Sequence, residues 1–557
     1  MTARLLRIAI LLVCIFIARS AFAAGGLCPS GVPAKGNNCY FIAATGADTN
    51  SGTSESSPWL HAPGMPKCSN TCAGVTPSGG QGLIFRGGDT WHFGNSSATP
   101  YVGGLWRWLW NGSSGNNIYI GVDQSWYNSS SCGSSWCRPI MSGDNPLSTS
   151  TTLSGCAYQV PGGNNFVTFA NRSYFTFDNF EFTGLCQKST GSPFAQDVYI
   201  SDGSANHALF KHIYFHGWTH VKFNCGSQCF NAFMFEGGQG GGKQIGLQYQ
   251  YIVMDGSDSD PAGAGMFYTG MYDVSYSVFR YGAQMIGSLC HAFHDNLVEY
   301  WYDPGDGAAH GNVVECLGPE APGTGAYYNN VVRHTNASGG QVNFWLEPGT
   351  STTDYFFNNL FYDIGPAGNY FNIQNRGGGP VYAFNSTLQS SNSASLMECQ
   401  GGPSLTHAYN MHFITEGSTF YNGRCSTATN LRQSNSAAKG QGYTATETYA
   451  YSPTSAGNST VGTGTNEQSL CTALSGAGLS DAATACQSDT RYACVYKSTS
   501  HSVTCAARAV VARPTTAWDV GTFQYPGTQA SLPSPPENII TWFSNQASQS
   551  LQQPHPN

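Results

Sequence analysis

Short β-prone runs centred on asparagine recur along the middle of the chain, and their period narrows the possible folds more than any other feature. They read FDNFEF at Asn179, HDNLVEY at Asn296, YNNVVRH at Asn330, FNNLFYD at Asn359, FNSTLQ at Asn385 and YNMHFI at Asn410. The last five asparagines lie 34, 29, 26 and 25 residues apart, and periods of this size mark solenoids or propellers. Each period holds several strand-like runs, such as NVVRH and VNFWLE between Asn330 and Asn359. No leucine ladder runs through them, and a propeller blade needs about 40 residues or more. Three short strands per turn of a coil fit best, with rungs ~4.8 Å apart. Asn suits the turns because it tolerates the left-handed region and bonds to nearby backbone.

The composition agrees with an all-β chain. Only 10% of residues are charged, 13% are aromatic and 68 of 557 are glycine. Helical surfaces normally carry many Lys and Glu, whereas Gly, Asn, Ser, Thr and aromatics suit short strands joined by turns. With 23 basic against 31 acidic residues, no basic footprint for nucleic acid or an anionic membrane appears.

The first residues predict export. Arg4 and Arg7 precede an apolar run from Ile8 to Ala18, and Ala21-Phe22-Ala23 follows. This is the layout of a secretory signal peptide cut near Ala23, and the run is shorter than the ~20 residues of a membrane span. Of 19 cysteines, Cys14 falls in this leader and an even number remain. Many come in close pairs: Cys28 and Cys39, Cys68 and Cys72, Cys132 and Cys137, Cys225 and Cys229, Cys471 and Cys486, Cys494 and Cys505. In an exported chain these read first as disulfides, ahead of zinc at the Cys-x-x-x-Cys spacings. Cys290 with Cys316, and Cys399 with Cys425, are each one coil apart and read as staples between adjacent rungs.

Several segments resemble bacterial right-handed parallel β-helix proteins of the pectate-lyase-like superfamily. The run CYFIAATGADTNSGTSESSPW (Cys39 to Trp59) is similar to their first strand. RGGDTWHF (Arg86 to Phe93) resembles their turn into the first coil, and YFTFDNFEFTG (Tyr174 to Gly184) a typical rung. RPTTAWDVGTFQY (Arg513 to Tyr525) is similar to their closing segment, with Thr522 where Ala is usual. The resemblance implies a single-stranded right-handed parallel β-helix with disulfide-rich terminal regions. It leaves activity open, because the superfamily holds lyases, hydrolases, epimerases and non-enzymatic adhesins. The expected division is a signal peptide at 1–23, a cysteine-rich N-terminal region with the first coils at 24–165, and the β-helix at 166–435. A stapled cap at 436–530 and a Pro-, Ser- and Gln-rich flexible tail at 531–557 follow.

No phosphate-binding loop, Gly-x-Ser-x-Gly elbow or His-Glu-x-x-His motif occurs. The densest polar cluster is YWYDPGDGAAHGNVVE, which gathers Asp303, Asp306, His310 and Glu315 beside Trp301. Aligning NVVECLG, NFWLEPG, YFNIQNRG and SLMECQG stacks Glu315, Glu347, Gln374 and Glu398 in a ladder. That places Glu315 and Glu347 ~5 Å apart, the spacing of a retaining glycosidase pair, one of them with a raised pKa. Asp255, Asp258 and Asp260 in MDGSDSDPAG suit a Ca2+ ion, which assists related lyases. The expected function is a monomer binding and cleaving an extracellular polysaccharide, as a hydrolase ahead of a calcium-assisted lyase. A non-enzymatic surface adhesin is the alternative.

Overall fold

The computed structural model describes residues 25–527 apart from 35–37, 148–153, 162–164, 188–196, 221–231, 237–244, 260–263, 268–270, 283–289, 302–311, 317–322, 336–341, 365–370, 392–395, 400–401, 419–420, 446–448, 491–493 and 506–509. Its body is a right-handed parallel β-helix. Among the described residues the first sheet has 13 strands and the second 12, and the third face is formed chiefly by two five-stranded sheets. The first sheet starts at Cys39–Ile42 and ends at Ser426–Ala428. The sheet thus runs on from the first coils of the N-terminal region into the rungs after residue 166.

Alternation explains why each strand lies as it does. In Phe175–Asp178, Phe175 and Phe177 enter the core while Thr176 and Asp178 face out. The strand register then stacks one inward column: Phe177, Phe210, Tyr249, Val274, Phe293, Tyr327, Phe356, Ala383 and Ala408. Aromatic rings fill the early rungs; Phe177 stacks on Phe180 at 4.2 Å, and Phe85 meets Phe180 edge-on at 5.1 Å. Trp301, expected beside a site, is buried in this core.

The corner between first and second sheets takes two residues. The first adopts the left-handed region at Asn179, His212, Tyr251, Tyr276, Asp295, Asn329, Asn358, Asn385, Asn410 and Thr429, with φ from 45° to 66°. A single left-handed residue turns the chain sharply, which is why Asn and Asp recur there. The second residue points inward. It is Phe180, Ile213 and Ile252 in early rungs, then Ser277, Asn296, Asn330, Asn359 and Ser386. Asn296 Nδ2 donates to Asn330 Oδ1 at 3.2 Å, and Asn330 Nδ2 to Asn359 Oδ1 at 3.0 Å. Each amide also bonds the carbonyl of a preceding strand, as Asn330 Nδ2 does to Phe293 at 2.9 Å. These fully buried amides satisfy the corner's backbone groups from within.

The C-terminal segment runs back along the side of the coil. Helices Gln468–Gly476 and Ser480–Cys486 pack Leu470, Leu474 and Ala483 on the outer face of the first sheet, against Tyr328, Tyr355 and Phe357. The hairpin of Cys494–Lys497 and Ser502–Cys505 covers the second sheet at Tyr214, Val253 and Val278. Arg138 reaches this hairpin, donating Nη1–H to the Ser500 carbonyl at 3.1 Å. The closing segment caps the asparagine corner, where Thr522 donates to the Asn359 carbonyl at 2.6 Å and Arg513 to Asn358 Oδ1 at 2.6 Å.

Disulfides join Cys28–Cys39, Cys68–Cys72, Cys132–Cys137, Cys399–Cys425, Cys471–Cys486 and Cys494–Cys505, as expected. Cys156–Cys186 is a further bridge that close spacing gave no reason to pair. Cys316 is also disulfide-bonded; its expected partner side chain and the Cys225–Cys229 pair lie outside the described side chains.

Candidate functional site

Two of the three outer faces are occupied along the middle rungs by the C-terminal segment. The third sheet is also reached by the longest connections: residues 300–313 lead from Leu297–Glu299 into Val314–Cys316, where the first corner needs only two. Long connections on a rigid coil are where binding groups concentrate. The third sheet's outer face is therefore the candidate site.

Its register is fixed from inside. Val314, Phe344, Ile373 and Met397 form a buried column. The residue after each one faces out, so the outer ladder reads Glu315, Trp345, Gln374 and Glu398. Glu315, Gln374 and Glu398 are ladder partners as expected, but Glu347 is not. It lies two residues beyond Trp345, because the buried apolar column and not the likeness of two glutamates sets the pairing. The period of two keeps Glu347 on the same side as Trp345, whose Nε1 donates to Glu347 Oε1 at 2.7 Å.

The environments differ along the ladder. Glu315 is 4% exposed and accepts a hydrogen bond from Asn312 Nδ2 at 2.9 Å. Gln374 is 3% exposed, while Trp345, Glu347 and Glu398 are half-buried. Arg376 is exposed, with its guanidinium 4.6 Å above the Trp345 ring. Asn312 and Arg376 were not picked out from sequence; their positions beside Glu315 and two residues past Gln374 were the available signal. Asp303, Asp306 and His310 lie outside the described residues.

The calcium expectation does not hold for the two aspartates that are described. Asp255 ends the strand Val253–Asp255, where it pairs with Arg280 at 3.6 Å and accepts from the Tyr496 hydroxyl at 2.6 Å. Asp258 lies in the following turn and binds His216 Nδ1 at 2.7 Å, with Glu181 on Nε2 at 3.1 Å. Burial opposes charge on His216, yet the two carboxylates push its pKa up to about 9. Asp255 and Asp258 thus already hold cationic partners and do not converge on one ion. Asp260 lies outside the described residues.

Asp255 also begins an ionic ladder that sequence reading missed. Arg280 Nε lies 3.3 Å from Glu299 Oε1, Arg333 Nη2 lies 2.7 Å from Glu299 Oε2, and Arg333 Nη1 donates to the Tyr362 hydroxyl at 3.1 Å. Burial works to raise the Glu299 carboxyl, but Arg333 and Arg280 together hold it below its usual range. Aligning VMD, VFR, LVE and VVR across the second sheet is the signal that would have found it.

No protein-family model and no curated protein match this chain. Among solved structures it is similar to a GH136 lacto-N-biosidase from Eubacterium ramulus, at 12% identity and TM-score 0.35, over 71% of this chain and 68% of that one. It is also similar to pectate lyase Pel9A, at 12% identity and TM-score 0.35, over 87% and 96%. A mannuronic acid specific polysaccharide family 6 lyase from human gut microbiota follows, at 10% identity and TM-score 0.36, over 63% and 78%. The parallel β-helix is read from the chain's own sheets. Likenesses this distant carry no argument about chemistry.

Proposed function

We propose that this is a secreted protein whose third sheet binds an extracellular polysaccharide and hydrolyses it, with Glu315 and Glu347 as the acid and base. The observation that carries the reading is the cluster of Glu315, Trp345 and Glu347 on an outer face that the described part of the C-terminal segment does not pack against. One rung and two residues separate the glutamates, which puts their Cα atoms ~8 Å apart. A Cα offset wider than one rung favours the inverting arrangement, whose carboxyls lie roughly 6.5–9.5 Å apart, over the retaining one at about 5–5.5 Å. One carboxylic acid then protonates the leaving oxygen while the other carboxylate takes a proton from the attacking water. Trp345, tied to Glu347, offers an indole for the apolar face of a sugar ring. The disulfides and the leader support an exported protein.

The test is a polysaccharide panel with detection of both reducing ends and unsaturated products. New reducing ends without unsaturation are expected. Glu315→Gln and Glu347→Gln are expected to lower turnover by several orders of magnitude at an unchanged melting temperature. Full activity in both variants would remove the assignment. Binding without cleavage of any polymer would favour the adhesin.

A further inference from the structure

The outer ladder is acidic in a way the rest of the coil is not. Glu315, Glu347 and Glu398 face out within four consecutive rungs. Between residues 301 and 424 the acidic residues are Asp303, Asp306, Glu315, Glu320, Glu347, Asp354, Asp363, Glu398 and Glu416, and the basic ones are Arg333, Arg376 and Arg424, the last exposed on the rung after Glu398. Arg333 is engaged by Glu299 on the second sheet, and Arg376 lies over Trp345. No lysine occurs from 244 to 438. A second, independent feature sits in the same ladder. The Gln374 side chain, 3% exposed, lies between Trp345 and Glu398, and its Oε1 finds no hydrogen-bond partner among the described residues. A hidden carbonyl oxygen calls for a donor. A sugar hydroxyl or acetamido N–H can donate to it, and a carboxylate cannot.

We infer that the third sheet's outer face takes an uncharged polysaccharide and rejects polyuronates and sulfated chains, with Gln374 accepting a hydrogen bond from the bound sugar. This rests on reading the third sheet as the glycan site. A polyanion laid along the ladder meets a carboxylate on three of the four rungs, and like charges at such range repel. A hydroxyl-rich neutral chain meets acceptors throughout.

The experiment is affinity electrophoresis of the mature secreted chain through native gels holding one polymer each. Galactomannan, β-glucan and arabinoxylan serve as neutral polymers, polygalacturonate and alginate as anionic ones, and chitosan as a cationic one. Each gel is run at low and high salt, with and without Ca2+. Retardation by at least one neutral polymer is expected, with little salt dependence, and none by the anionic polymers. Gln374→Met is expected to weaken the neutral interaction about tenfold. Stronger retardation by polygalacturonate or alginate, with or without Ca2+, or by chitosan, would overturn the inference while leaving a glycan site in place. An unchanged affinity in Gln374→Met would remove the amide from it. Retardation by no polymer would instead defeat the glycan reading itself.

Discussion

The second and third sheets lie side by side on the same coil, yet their outer faces handle charge in opposite ways. On the second, Asp255, Arg280, Glu299 and Arg333 alternate in sign from rung to rung, and the three acid–base contacts run from 2.7 to 3.6 Å. Tyr496 of the C-terminal hairpin closes over this ladder, with Arg280 4.6 Å above its ring. On the third, Glu315, Trp345, Gln374 and Glu398 place carboxylates beside an aromatic and an amide. The same stacking rule thus gives a seam of alternating charge in one place and carboxylates set beside an aromatic and an amide in the other. On the proposed reading, it is the partners and not the position on the coil that separate structural from functional polar residues.

Substitutions that blur this contrast sharpen it. The largest expected effect on folding comes from Arg280→Met, which leaves Asp255 and Glu299 buried without their shared cation. A loss of roughly 3–5 kcal/mol follows for a broken buried ion pair. Chemical denaturation checks it, and turnover per folded molecule should stay unchanged, the reverse of the pattern in Glu347→Gln. An equal loss of activity and stability in both would erase the distinction. Asn330→Ala comes next. It strands the Phe293 carbonyl and interrupts the bonds to Asn296 and Asn359, at about 1–3 kcal/mol for a buried group left unsatisfied, again with activity per folded molecule retained.

A pH-dependent effect belongs to Asp354, a carboxyl buried with no cation beside it among the described residues. Burial pushes its pKa up to about 7, partly opposed by a hydrogen bond from the Gly325 N–H at 3.1 Å. Its folded pKa lies above the unfolded value of roughly 4. Its contribution is therefore full below pH ~4 and is lost as pH rises through about 7. Asp354→Asn removes that loss. The variant's melting temperature should exceed the parent's by a few degrees at pH 8, with a smaller gap at pH 5. A gap that shrinks with rising pH would contradict the burial of this group.

The coil was legible in the asparagine period, but the period mixed two positions. Asn179, Asn385 and Asn410 are the left-handed residues, while Asn296, Asn330 and Asn359 are the next ones, pointing inward. Both positions favour Asn for separate reasons, one the backbone and one the buried amide ladder, so the letter alone does not tell them apart. The same ambiguity misplaced Glu347. Matching glutamate to glutamate gave one register, whereas the buried column of Val314, Phe344, Ile373 and Met397 gives another. Asp255 and Asp258 looked like a shared site because they are close in sequence. One ends a strand and the other lies in a turn, so they meet different cations. The path of the C-terminal segment was not readable, since its apolar residues match two outer faces equally well by composition.

The pairing of Glu315 with Glu347, one rung and two residues apart, is the claim on which the catalytic account turns. Proton NMR of the first product formed from a susceptible polysaccharide tests it most directly. Inversion at the anomeric carbon is predicted from the offset of the two glutamates, whose Cα atoms lie ~8 Å apart and not one rung apart. Retention of configuration, or an unsaturated product, would contradict it.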